Sequence, residues 1–169
     1  RTYKVALCLS GPANDQGWNQ SAYDGAKAAC GENPLARRAI DGLKDKGYDV
    51  ILATNPIFPL VGVETRLSWV GLRPEDFSYI TAYENSTTCK PNPAYYAEIL
   101  RNTGKRPQEC LMVGNDAKED MIAQSVGMKV FLLTDCLYLV TDCLLNPKGR
   151  DISGVPQGTF AAFLELAGV

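Results

Sequence analysis

Apolar and polar positions along the chain follow two alternating periods. Short runs in which large apolar residues stand side by side, YKVALCL at 3–9, DVILA at 49–53, SYITA at 78–82, ECLMV at 109–113 and KVFLL at 129–133, have the pattern of strands buried on both faces. Between them, apolar residues recur three and four positions apart, the mark of helices covering a sheet. Leu35, Ala36, Ala39, Ile40 and Leu43 form one such stripe, opened by Asn33-Pro34 and stopped at Gly47. Asn92-Pro93 opens another, through Ala94, Tyr95, Ile99 and Leu100 to Gly104. Helical segments are predicted at 59–70 and 117–126, ending at Gly71 and Gly127, and at 157–167, with Phe160, Phe163, Leu164 and Ala167 on one face. The pattern predicts an α/β three-layer sandwich, Rossmann-like, with a five-stranded, mainly parallel sheet in a single domain over 1–169.

One stretch does not fit a simple strand–helix alternation. SAYDGAKAAC at 21–30 has its own helical stripe, and the next helix starts four residues later. A βαβ unit needs one crossover helix, so an insertion or join is expected near Gly31 to Asn33. TDCL at 134–137 recurs at 141–144; a seven-residue period is too short for a solenoid and carries no function.

Composition narrows the partners. An apolar fraction of 46% with 21% charged residues is ordinary for a globular chain, and a net charge of -2 gives no basic patch for nucleic acid or anionic membrane. No apolar run approaches the roughly 18–20 residues of a membrane span, and the first residues are too strand-like for a secretory signal. A soluble, cytoplasmic-type (or recombinant) monomer without macromolecular partners is expected, with phosphate or another small anion as its ligand. The six cysteines form no C-x-x-C pair and the chain has no histidine. Reduced thiols are therefore expected, with no zinc site, and acid–base chemistry would rest on carboxylates or lysine.

In open α/β sheets, ligands bind beyond the carboxyl ends of the strands. The residues found there are Ser10 and Gly11, Thr54 and Asn55, Lys90, and Asn115, Asp116 and Asp120. A hydroxyl and an ammonium suit a phosphate, and paired carboxylates suit Mg²⁺. Each also has a bland reading: Thr54 and Asn55 as caps of the helix near Pro59, Lys90 as a solvated lysine, the two aspartates as first-turn acids.

From about Glu32 onward the chain resembles the haloacid dehalogenase superfamily of phosphatases and related hydrolases. ILATNP at 51–56 is similar to that family's second motif, CKPNPAYY at 89–96 to its third and VGNDAKEDMIAQSVGM at 113–128 to its fourth. The resemblance implies that Thr54, with Asn55 beside it, binds the transferred phosphoryl group, that Lys90 neutralises it, and that Mg²⁺ is held by Asp116, Asp120 or Asn115. It also implies the strand order 5-4-1-2-3. The first motif, Asp-x-Asp after the first strand, is absent: that place reads LSGPAND, with Asp15 the nearest acid.

The segment KVALCLSGPANDQGWNQSAYDGAKAA, residues 4–29, resembles instead the amino terminus of nucleoside-binding lipoproteins of the basic membrane protein group, which are similar to periplasmic binding proteins. That resemblance nominates Asn14, Asp15 and Trp18 as ligand residues. Two resemblances meeting at one place predict an engineered chimera, 1–31 from one parent and 32–169 from the other, that is a scaffold without catalytic turnover and requires no cofactor. The alternatives are a residual Mg²⁺-dependent phosphatase or phosphate binder, and a weak nucleoside-binding module.

Overall fold

A computed structural model describes residues 4–7, 34–134 and 151–169. Six strands form one sheet: β1 (Lys4–Leu7), β2 (Ile51–Leu52), β3 (Tyr79–Ile80), β4 (Cys110–Gly114), β5 (Lys129–Leu133) and β6 (Gln157–Gly158). Their order is β3-β2-β1-β4-β5-β6 and every pairing is parallel. Leu7 of β1 stands opposite Leu52 on one side and Val113 on the other, so β1 lies between β2 and β4.

The helices are α1 (Pro34–Asp45), α2 (Leu60–Ser68), α3 (Pro93–Thr103) and α4 (Phe160–Ala167). Successive strand residues point to opposite faces, and the two faces are packed by different helices. Leu52, Ile80, Val113 and Phe131 join Ile40 and Leu43 of α1, Val63 and Leu67 of α2 and Phe160 and Phe163 of α4 in one buried cluster. Ile51, Met112, Val130 and Leu132 join Tyr95, Tyr96 and Ile99 of α3, with Met121, in the other. These clusters are the two interfaces of an α/β/α sandwich.

Three expectations need correction. The sheet has six strands rather than five, because the segment read as helix from 157 first pairs with β5: Leu132 N donates to Pro156 O and Thr134 N to Gly158 O. The helix starts only at Phe160, where the Thr159 side chain accepts from Ala162 N. Segment 117–126 is no regular α-helix but a turn followed by a 3₁₀ stretch, Met121–Val126. Its opening is bent by the Asp116 carboxylate, which accepts from Lys118 N and Glu119 N, a local alternative to helical bonding.

Asn92 caps α3 by accepting from Ala94 N, and Gly104 ends the helix at φ 64°. The expected cap at Asn33, the helix at 21–30 and Cys8, Cys30, Cys136 and Cys143 lie outside the described residues, as does most of the TDCL repeat. Among the described residues, neither Cys89 nor Cys110 is in a disulfide. No helix among them is long and apolar enough to cross a membrane.

One ion-pair network ties α1 to the turn before β3. Arg37 reaches Asp41 one turn along its helix and Asp76 at 2.6 Å, and Arg73 N also donates to Asp76. Burial favours the neutral acid at Asp76, but the Arg37 hydrogen bond, the Arg73 N–H and the neighbouring positive charge outweigh it and hold the carboxyl below its ordinary range.

Candidate functional site

Parallel β2 and β3 end at the same edge of the sheet, so the segments that follow them are adjacent. Thr54, two residues after β2, is buried, and its carbonyl oxygen receives two side-chain hydroxyls: Thr81 Oγ1 at 2.6 Å and Tyr95 OH at 2.8 Å, themselves 2.9 Å apart. Tyr95 belongs to α3 and is 1% exposed. This web fixes the backbone at Thr54 to both the neighbouring strand and the covering helix.

Lys90 enters from the loop before α3. Its ammonium lies 2.6 Å from Asp120 Oδ1, with the two side chains 1% and 0% exposed, and 5.8 Å from the centre of the Tyr95 ring. A lysine this buried is no solvated loop cation. Asp120 Oδ2 accepts from Asp116 N at 3.0 Å, so both of its oxygens are engaged. It offers no side-chain cap to the 3₁₀ stretch that begins beside it.

The end of β4 is shaped around that carboxylate. A Cβ added at Gly114 would stand 2.2 Å from Asp120 Oδ2 and 2.5 Å from its Cγ. Only glycine admits the aspartate at this distance, and the carboxylate cannot swing aside while Lys90 and Asp116 N hold it. Tyr96 OH adds a bond to Glu119 O, fastening α3 to the same loop.

The other nominated residues fall as follows. Asn115 and Asp116 are half-buried after β4, with Asp116 Oδ1 turned to its own loop's amides. Thr54 and Asn55 do not cap α2: Pro59 is the cap residue and has no side-chain cap bond, while Leu60 N is served by the Glu84 carboxylate at 2.9 and 3.1 Å. The buried Oδ1 of Asn55 has no hydrogen-bond partner among the described residues. Asn14, Asp15, Trp18, Ser10 and Gly11 lie outside the described residues.

A metal is tested by these donors. Among the described residues no three His, Cys, Asp or Glu side chains gather as a metal cluster. What stands at this edge is an oxygen set: the half-buried Asp116 and Asn115, and the unpaired Asn55 Oδ1. That suits Mg²⁺, which is commonly held by one or two carboxylates and completed by water and a substrate phosphate.

Sequence reading missed three residues of this assembly. Tyr95 was counted only as an apolar helix position, Thr81 only as part of a strand, and Gly114 only as part of a motif. The available signal was polar chemistry at positions the pattern buries: hydroxyls at Thr81 and Tyr95, both 1% exposed, must find partners.

A threonine, a buried lysine held by an aspartate and a further aspartate at the carboxyl edge of a parallel sheet make an α/β domain whose edge groups are suited in chemistry to an anion such as phosphate. Residues 13–126, more than half of the chain, match the model for the haloacid dehalogenase-like hydrolases, and the chain belongs to that family. It is 28% identical over 118 residues to the bifunctional riboflavin kinase/FMN phosphatase of Arabidopsis thaliana, covering 67% of this chain and 31% of that protein. It is 35% identical over 71 residues to the human haloacid dehalogenase-like hydrolase domain-containing protein 2, covering 38% and 27%. The chain thus spans about a third or less of the curated relatives it matches.

Solved structures repeat the fold. A HAD phosphatase from Thermococcus onnurineus superposes with a TM-score of 0.61 at 15% identity, covering 98% of this chain and 97% of that one. A predicted phosphoglycolate phosphatase from Haemophilus somnus 129pt gives 0.60 at 23%, covering 79% and 56%.

These findings overturn the expectation of an engineered scaffold that is not an enzyme. The family is one of hydrolases, and its match begins at residue 13, running through the place where a junction was expected. The physical error lay in equating one missing motif with silence. Removing a nucleophile leaves binding and electrostatic stabilisation in place, and those alone sustain factors of about 10³ to 10⁴ over water in hydrolases so altered.

Proposed function

We propose that this chain is a Mg²⁺-dependent hydrolase of phosphate monoesters. The observation that carries the reading is the buried Lys90–Asp120 pair joined to Thr54 through Tyr95. An ammonium kept in a dry setting acts on phosphoryl oxygens with far more energy than it would in water. Asp120 orients that ammonium, and Thr54 contributes its hydroxyl to the same oxygens. Asp116, with Asn115 beside it and Asn55 at the same sheet edge, would hold the metal, because both oxygens of Asp120 are engaged elsewhere. When bound, Mg²⁺ supplies neutralisation of phosphate charge. In the net reaction the ester P–O bond breaks, the leaving alcohol takes a proton and the oxygen of water ends in phosphate.

The test is release of inorganic phosphate from p-nitrophenyl phosphate with and without Mg²⁺. Turnover that needs the metal, and falls by roughly 100- to 1,000-fold in Thr54→Val, is expected for loss of one positioned donor. No phosphate release above the uncatalysed rate, from a chain with native circular dichroism, rejects the reading.

A further inference from the structure

Six large apolar side chains are exposed among the described residues, and four of them fall together. Ile57 and Leu60 are 43% and 38% exposed, Val61 is 66% and Tyr83 is 71%. Ile57, Leu60 and Val61 follow β2 directly after Thr54 and Asn55; Tyr83 follows β3 directly after Thr81 and Ala82. Since β2 and β3 are parallel neighbours, these two segments leave the sheet side by side at the edge that carries the site.

They are also fastened to each other. Tyr83 N donates to Phe58 O at 2.9 Å, Ile57 N donates to Asn55 O at 2.8 Å, and the Glu84 carboxylate receives Leu60 N. The apolar side chains therefore stand on a tied backbone, where holding an apolar ligand costs little ordering. Exposed apolar side chains on adjacent, tied segments are the kind of surface that marks a binding site. Its continuity with Thr54 and Asn55 names the occupant.

We propose that Ile57, Leu60, Val61 and Tyr83 form an apolar rim that receives the organic part of the phosphate ester, so that the substrates are monoesters of aromatic or other flat apolar alcohols. This rests on the phosphohydrolase reading and gives it a substrate class. Tyr83 supplies an aromatic face for a ring, and Val61 and Ile57 supply aliphatic contact. Glu84, tied to the base of the rim, disfavours leaving groups that bear their own carboxylate or second phosphate.

Aryl esters are intrinsically more reactive, so the rim is read from variants rather than from a comparison of esters. Hydrolysis of 1-naphthyl phosphate and of glycerol 2-phosphate is measured for the unaltered chain, Val61→Ser and Tyr83→Ser. Each variant is expected to raise KM for the naphthyl ester by roughly 5- to 20-fold, the scale on which apolar contacts discriminate. Glycerol 2-phosphate turnover and inhibition by inorganic phosphate stay unchanged.

Naphthyl ester kinetics indifferent to both variants overturn the proposal. So does a chain whose self-association, followed by sedimentation, is abolished by the same variants while its kinetics are not. If no ester is hydrolysed, the hydrolase reading fails separately. Calorimetric binding of 1-naphthyl phosphate then still decides the rim, by weakening or not weakening in Val61→Ser and Tyr83→Ser.

Discussion

Removing one partner of the Lys90–Asp120 pair strands a charge where no water reaches it. The two side chains are 1% and 0% exposed at 2.6 Å, and breaking such a buried pair costs about 3–5 kcal/mol. Against a total stability of about 5–15 kcal/mol for a domain, Asp120→Asn or Lys90→Met alone should bring the chain close to unfolding. Asp120→Asn leaves one acceptor for Asp116 N but turns an amide N–H₂ toward the Lys90 ammonium, so it removes the charge partner and adds a donor–donor contact. Replacing both partners, Lys90→Met with Asp120→Leu, removes the stranded charge and leaves apolar volume; such exchanges are often neutral. The double variant should thus lie within about 1–2 kcal/mol of the unaltered chain once the lost bond to Asp116 N is counted. Urea unfolding followed by far-ultraviolet circular dichroism gives the four corners of the cycle. A coupling of about 3 kcal/mol or more is expected on these figures. Single variants that each cost under about 1 kcal/mol, with additive behaviour in the double, would refute a dry pair. The double variant also separates fold from chemistry, because it should be folded while phosphate release falls by roughly 100-fold or more.

Gly114→Ala places a methyl 2.2 Å from Asp120 Oδ2; overpacking of this kind costs about 1–3 kcal/mol, and a lower melting temperature with a loss of phosphate release at least as large as that of Thr54→Val is expected. Tyr95→Phe keeps the ring beneath Lys90 and removes the hydroxyl that reaches Thr54 O; a loss of about 1 kcal/mol in urea, and a fall in kcat/KM larger than that stability change requires at saturating folded fraction, mark Tyr95 as a positioning residue. Asp76 tests the pH dependence: its folded carboxyl is held below the ordinary value, so its contribution is fully present above the unfolded value of about 3.9 and is lost as pH falls through the lower folded value. Asp76→Asn should accordingly be less stable than the unaltered chain at neutral pH, and the gap should narrow as the solution is taken below pH about 4; a gap independent of pH would show that Arg37 does not stabilise the charged form.

How far the sequence could be read depended on how much of each feature is local. Runs such as ECLMV and KVFLL name their own strands, since a parallel strand buried on both faces has little choice of residue. Asn92-Pro93 names the start of α3 because cap and first turn are adjacent in the chain, the Asn92 side chain accepting from Ala94 N two residues on. β6 is different. Two residues, Gln157 and Gly158, have no strand pattern, and what makes them a strand is the unpaired edge of β5 waiting beside them. Segment 117–126 has a helical stripe, yet Asp116 and Asp120 spend their carboxylates on local amides and on Lys90 and so bend the chain away from the regular helix. In both places a tertiary partner overrode the local signal.

The site divides along the same line. Thr54, Lys90 and Asp120 could be nominated because each lies in a segment that follows a strand and carries a group suited to a phosphate or its metal. Their relation could not be nominated, since it runs through Tyr95, a residue that a helical stripe counts as packing, and through Gly114, whose importance is an absence of side chain. The ambiguity between Asp116 and Asp120 yields to the same geometry: an aspartate with one oxygen on a buried ammonium and the other on a backbone amide is occupied in holding the lysine. On the proposed reading, the metal would then fall to the half-buried Asp116. A lysine oriented by one acid and a cation held by another can press on a phosphoryl group from two sides without neutralising each other, because the acid between them is already spent. On that reading the two carboxylates, four residues apart on one loop, would take two separate tasks, and the missing side chain of Gly114 leaves the room that Asp120 occupies.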